Sequence, residues 1–273
     1  MKILVLGNGF IGKPLAEFLE ADTTTKRLDE IYGPDLAQYE VVINAAAKTS
    51  IDWCEKNREE TFDTNVTQAV RIAKLLEGIR LMTESSKGKH VFFSSACIFK
   101  SDFIGDDNTV NVNFEDSIPN PQCFYTYTKL MAEQLIEEIS PNTLIIRPRL
   151  LISEKSHPRN TIDKLLKYDK IIDTQESATI LEDLLPKVKE LIDLNETGAF
   201  HIFNEGTTTP SEIATLFDHP HEQISKFELD LMTSYKGNAR RVSTVLGSKR
   251  TKPLSDINKR LKEIRASWVI SKE

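Results

Sequence analysis

The sequence predicts an α/β fold in which helices cover both faces of a doubly wound parallel sheet, and three observations point there. Short apolar runs alternate with amphipathic stretches through the first half of the chain, a glycine-rich turn follows the first of those runs, and the second half loosens into charged helical segments. A sheet covered on both faces needs strands that are apolar throughout rather than alternating, and the runs have that character.

Strands are expected at residues 2–6, 41–45, 91–94 and 143–147, each a brief β-branched or aromatic run bounded by polar or turn residues. Between the second and third, Val66, Ala69, Val70, Ala73 and Leu76 recur at spacings of three and four, which gives a helix one buried stripe. Another helix is expected over residues 126–139. Beyond Pro148 a strand-like run at 200–203 and a terminal helix from Ser255 to about Ile270 are the clearest elements.

The bulk numbers exclude several classes. At 273 residues with 40% hydrophobic and 28% charged residues, the chain has enough apolar mass for a large core and a second lobe. A net charge of −6 argues against a nucleic-acid partner, whose phosphates must be neutralised by Lys and Arg. The opening MKILVLGNGF is apolar too briefly for a signal peptide or a membrane span, so a cytoplasmic location with no membrane partner is expected. Cys54, Cys97 and Cys123 form no CxxC or His/Cys cluster, so they read as reduced thiols and no metal site is expected.

Gly7, Asn8, Gly9, Phe10, Ile11 and Gly12 form a G-x-G-x-x-G turn between the first strand and the following helical stretch. Gly7 permits the tight turn, Gly9 lets the backbone approach a pyrophosphate at a helix N-terminus, and Gly12 lets helix and strand pack closely. A dinucleotide cofactor is therefore expected on a Rossmann-type sheet. Farther on, where an NAD site places an acid and an NADP site a cation, stand Lys26 and Arg27; they favour NADP, and nearby Asp29 leaves NAD open. This divides the chain into an NADP-binding domain at 1–150 and a smaller C-terminal substrate-binding lobe at 151–273, with the strand near 200–203 returning to the main sheet.

Tyr125 and Lys129, four residues apart, fall on one face of the helix expected there. A nearby ammonium favours phenolate, and the tyrosine can then protonate a carbonyl oxygen as hydride reaches its carbon. At the end of the 91–94 strand, Ser95 and Cys97 are two apart, so an extended backbone would point both the same way at the carboxyl edge of the sheet. Ser95 would donate to the carbonyl. Cys97 reads either as an acid or base or as a small buried hydrophobe.

These residues resemble the extended short-chain dehydrogenases/reductases that act on nucleotide sugars. Ala45, Ala46 and Ala47 after Asn44 look like their cofactor-contacting turn, and Asn65 lies in a segment like the one that follows it. The Ser94-Ser95-Ala96-Cys97-Ile98 stretch is similar to the GDP-fucose synthases, where such a serine and cysteine are catalytic. A broader likeness, to the nucleotide-rhamnose synthases of plants and giant viruses, runs through residues 51–55, 97–99, 114–120, 158–164, 180–186 and 203–204. Those families are related to the dTDP-4-dehydrorhamnose reductases. Ser95 replaces their usual threonine, Glu205 stands where proline is usual, and residues 240–244 match only loosely.

The resemblance implies a bifunctional enzyme acting on a nucleotide-linked 4-keto-6-deoxyglucose, UDP-linked by preference. Cys97 and Lys164 would exchange protons at C3 and C5 on opposite faces, after which hydride reaches C4 and Tyr125 protonates the oxygen. Arg149, Asn160 and Arg241 are implied as substrate contacts. Lys236, Arg240, Arg241, Lys249 and Arg250 read either as a diphosphate grip or as a solvated basic stretch. A reductase alone, an N-acetylated 4-keto sugar substrate and a non-catalytic regulatory subunit of the same fold are the alternatives. The oligomeric state stays open, a homodimer among the options.

Overall fold

The computed structural model describes residues 1–83, 88–104, 109–235 and 238–270. Two compact units divide the chain: Met1–Ser95, Cys123–Arg147 and Val188–Phe200 form the first, and Ala96–Gln122, Pro148–Lys187 and His201–Glu273 the second. They interleave along the sequence rather than meeting at a single cut near residue 150, because residues 96–122 belong to the second unit and residues 188–200 rejoin the first.

The first unit is built on strands β1 (Ile3–Leu6), β2 (Asp22–Thr23), β3 (Val41–Asn44), β4 (Lys89–Phe93), β5 (Leu144–Pro148) and β6 (Gly198–Ile202). Their order in the sheet is β6-β5-β4-β3-β1-β2, and the pairs β1·β2, β1·β3, β3·β4 and β4·β5 are parallel. β1 and β3 are buried at every position, which is why their sequences are continuous apolar runs ending in a single Asn44. Helix α1 (Gly12–Leu19) follows β1, α2 (Ala69–Thr83) leads to β4, and α3 (Phe124–Ile139) leads to β5. The stripe anticipated on α2 is buried, and Ile72 and Ile79 extend it. Val66, Ala69, Val70 and Ala73 join Phe92, Ala132, Ile136 and Ile145 in one core, while Ile72, Leu76 and Ile79 join Leu4, Leu6 and Val42 in the other.

The sheet grows from β1 to β2 and then reverses, with β3 on the other side of β1. The crevice beyond the carboxyl ends of β1 and β3 is thus the topological switch point, where open α/β sheets bind ligands.

The second unit has its own core of Ile152, Ile162, Ala178, Ile180, Ile213, Phe217, Ile257, Leu261, Ile264 and Trp268. The terminal helix Ile257–Ile270 supplies the last four of these, and Trp268 meets Phe217 edge-on at 5.7 Å. Strand Leu151–Ile152 pairs in parallel with Thr179–Ile180. Helix α4 (Thr161–Leu165) follows it and carries Lys164.

Candidate functional site

In the first unit the glycine turn sits at the switch point. Gly7 adopts φ +97°, and a Cβ there would lie 2.7 Å from the Ala46 nitrogen; one on Gly12 would lie 1.8 Å from the Gly7 carbonyl oxygen. Both positions therefore exclude any side chain. Gly9 differs: a Cβ there would meet nothing within 4 Å, so this glycine leaves open room beside the turn. Across it, Ala45, Ala46 and Ala47 are half-buried, and Ala45 N–H donates to Leu6 C=O at 2.9 Å. The Nδ2 of buried Asn44 and the Oγ of buried Ser94, at the ends of β3 and β4, have no hydrogen-bond partner among the described residues. A glycine cradle with free space and unspent buried donors at its rim fits a dinucleotide.

Lys26 and Arg27 follow β2 and are exposed. Lys26 Nζ pairs with Asp35 at 2.6 Å and Arg27 Nε with Asp29 at 3.3 Å, so each cation already has a carboxylate neighbour. Asn65 is buried and its amide is committed: Oδ1 accepts from Lys48 N–H at 2.8 Å, and Nδ2 donates to Lys48 C=O at 3.0 Å and Thr128 Oγ1 at 3.2 Å. These bonds tie the loop after β3 to α3.

Tyr125 and Lys129 lie in the first two turns of α3 and are both buried. Helix initiation uses one local and one distant partner: Cys123 N–H donates to Thr126 Oγ1, and Phe124 N–H to Glu55 Oε1 at 2.6 Å. Lys129 Nζ donates to the Phe93 carbonyl at 2.6 Å and stands 4.3 Å from the Phe92 ring centre. Burial lowers its pKa to about 8 against the opposing pull of Glu133 one turn on. Glu133 is itself locked to Arg147 of β5, Nη2 to Oε2 at 2.5 Å, so the charge behind Lys129 is fixed. Ser95, also buried, ends this unit.

In the second unit the surroundings of Cys97 differ from expectation. β4 ends at Phe93, and residues Ala96–Ile98 form a 3-10 turn, so the extended-strand reasoning for Ser95 and Cys97 does not apply. Cys97 Sγ instead accepts from Arg149 Nη1 at 2.9 Å. Arg149, expected to touch substrate, is buried with its guanidinium spent inside the protein. Nε and Nη2 donate to Glu176 Oε2 at 3.0 and 2.6 Å, and Nη2 also to Val242 C=O at 2.6 Å. Desolvation opposes the Arg149 charge, but Cys97 and Glu176 outweigh it and raise the pKa, while burial raises the Glu176 carboxyl and Arg149 pulls it back. Removing one partner of such a pair costs about 3–5 kcal/mol, since it strands a buried charge.

Asn160, expected as a substrate contact, is likewise engaged inside the protein. It is fully buried, its Oδ1 accepts from Ile162 N–H to cap α4, and its Nδ2 donates to the Ser153 and Lys155 carbonyls. The cap aims the helix that carries Lys164. Lys164 is exposed, yet partial desolvation by the protein around it, followed by Arg159 and Arg241, lowers its pKa against the pull of Cys97. Lys164, Arg241 and Cys97 lie in the same unit. Arg241 is half-buried and donates to Ala239 C=O at 3.3 Å. Among the expected diphosphate cations, Arg240 pairs with Asp230, Lys249 pairs with Asp116, Arg250 is exposed, and Lys236 lies outside the described residues. Glu176 was not foreseen: it carries no motif, and its pairing with Arg149 spans 27 residues.

The chain is similar to a bifunctional dTDP-4-dehydrorhamnose 3,5-epimerase/dTDP-4-dehydrorhamnose reductase of Arabidopsis thaliana, at 33% identity over 64% of this chain and 58% of that protein. It is also similar to a trifunctional UDP-glucose 4,6-dehydratase/UDP-4-keto-6-deoxy-D-glucose 3,5-epimerase/UDP-4-keto-L-rhamnose-reductase of the same plant, at 30% identity over 79% of this chain and 32% of that protein. The chain thus spans a third to three fifths of these relatives' lengths. Among solved structures, the UDP-rhamnose synthase of Acanthamoeba polyphaga mimivirus superposes with a TM-score of 0.81 at 21% identity, covering 98% of this chain and 99% of the other. The dTDP-4-dehydrorhamnose reductase of Yersinia enterocolitica gives 0.78 at 20% identity, covering 98% and 99%; both likenesses concern the fold. The profile of the RmlD substrate binding domain matches residues 1–243, and the chain belongs to that family.

Proposed function

We propose that this chain epimerises C3 and C5 of a nucleotide-linked 4-keto-6-deoxyglucose, UDP-linked by preference, and then reduces C4 to give a nucleotide-linked L-rhamnose. The observation that carries the reading is that one compact unit holds both Lys164 and Cys97, two proton-handling groups that reduction alone does not need. The relatives that combine an epimerase with a reductase support it.

The C4 ketone acidifies the protons at C3 and C5, because each carbanion is an enolate. Cys97 takes such a proton: the C–H bond breaks, S–H forms, and the electron pair moves onto the C4 oxygen. The ammonium of Lys164 returns a proton on the other face, and exchange with water resets both groups. Ser95 and Tyr125 donate to the enolate oxygen and later to the alkoxide, so one donor pair serves both stages. The glycine turn, Asn8, Phe10, Ile11 and the Ala45–Ala47 turn would hold NADPH, with Lys26 and Arg27 at its 2′-phosphate; NADPH supplies the hydride at C4. Tyr125 then protonates the oxygen, and the Lys129 ammonium favours its phenolate.

The test is incubation with UDP- and dTDP-4-keto-6-deoxyglucose in deuterated water. Deuterium is expected at C3 and C5 without NADPH, and L-rhamnose product with it. Cys97→Ser should lose exchange about a hundredfold or more, while still reducing a pre-epimerised substrate. Reduction with no exchange in the wild-type protein would leave a reductase alone, and no NADPH oxidation with either sugar would overturn the reading. A clear preference for NADH over NADPH would remove the role given to Lys26 and Arg27.

A further inference from the structure

We propose that Arg149, clamped by the buried Glu176, is a positioning residue that donates to the Cys97 sulfur, stabilises negative charge developing there and fixes its direction. This deepens the epimerase reading and rests on it. Three features of the second unit carry it.

The first is geometric. Of the guanidinium nitrogens, Nη1 donates to Cys97 Sγ at 2.9 Å, while Nε and Nη2 close on one carboxylate oxygen of Glu176, and Nη2 also reaches the Val242 carbonyl. Four contacts on one planar fork leave it no freedom to swing, so the N–H aimed at the sulfur is fixed before substrate arrives.

The second concerns charge. Glu176 receives Nε and Nη2, the two nitrogens other than the one that reaches the sulfur, and its Oε2 also accepts Thr244 N–H at 3.1 Å. Burial would otherwise make an isolated guanidinium costly, and the carboxylate sustains it. A permanent cation that donates to sulfur stabilises negative charge developing on it, as a charge-assisted hydrogen bond does for any developing anion.

The third is placement. Arg149 directly follows Pro148 of β5 and Cys97 lies in a 3-10 turn, so the sulfur is oriented by a strand terminus rather than by the turn's own backbone. Arg149 touches neither sugar nor cofactor in this scheme. It acts through Cys97.

The experiment reads the thiol directly. The protein is treated with iodoacetamide at pH 7 without substrate, and the rate at Cys97 is followed by mass spectrometry of its peptide; Cys54 and Cys123 are buried and serve as internal controls. Arg149→Met alone strands the Glu176 charge and is avoided, so the informative variant is Arg149→Met with Glu176→Gln, which removes both charges. Thermal melting confirms that it folds. Its Cys97 alkylation should slow by about tenfold, the value of one charge-assisted hydrogen bond. Arg149→Lys, which keeps a cation but loses the fork, should recover part of the rate. A folded double variant that alkylates at the wild-type rate, or an Arg149→Lys variant slower than the double variant, would overturn the proposal.

Solvent deuterium exchange at C3 and C5 separates this from the reading beneath it. Exchange should fall in the double variant in step with alkylation. Slowed alkylation together with absent exchange in the wild type would overturn the epimerase reading, and with it the catalytic use of the contact. Unchanged alkylation with normal wild-type exchange would overturn the role of Arg149 alone.

Discussion

Burial sets the chemistry of single residues here. Burial brings the Lys129 pKa to about 8, so the basic limb of the proposed reduction's pH profile should fall near pH 8 rather than near the ordinary lysine value. A pH–rate profile with the pre-epimerised sugar checks this; Lys129→Met should lower the rate by about two to three orders of magnitude across the range. His90 is the opposite kind of residue. It is buried beside Thr143, and desolvation lowers its pKa to about 3. The unfolded chain takes up a proton at this histidine near pH 6.5 while the folded chain does not. Its contribution is therefore intact above about pH 6.5 and shrinks by roughly 1 kcal/mol per pH unit as the pH falls toward 3. Denaturant melts at pH 7 and 4.5 should show a smaller acid loss for His90→Leu than for wild type. Tyr125 and Lys129 were legible in the sequence because four-residue spacing and helix geometry are the same statement. The internal partners of Arg149 and Asn160 were not, because which polar groups a side chain meets inside the protein depends on distant residues such as Glu176.

At the scale of elements, the glycine turn divides into positions that no side chain can enter and one with open room beside it. Gly12→Ala drives a Cβ into the Gly7 carbonyl and should destabilise the protein by about 3 kcal/mol or more. Gly9→Ala meets open space, so its melting temperature should stay near wild type while NADPH affinity drops at least tenfold, read by fluorescence titration. Equal losses in both would show that the turn serves stability alone. The strands and helices of the first unit were legible because buried parallel strands are apolar runs and α2 keeps a strict stripe. The 3-10 turn at Ala96–Ile98 was not, since nothing in Ser-Ser-Ala-Cys-Ile marks where a strand stops.

For the whole molecule, the doubly wound class was legible, whereas the way the chain shares its length between two units was not: hydrophobic patterning reports burial, and it does not say against which partner. A fragment ending at residue 150 would lack β6 and leave the backbone edge of β5 unpaired. Such a fragment should aggregate on size-exclusion chromatography, where the full chain runs as a defined species.

The same strand has a consequence during synthesis. β6 is encoded about fifty residues after β5, so at roughly 5–20 residues per second the emerging chain carries an open sheet edge for several seconds. During that interval the nascent protein is a client for whatever binds exposed strands, and slowing translation between codons 150 and 198 should lower the soluble yield without altering one amino acid.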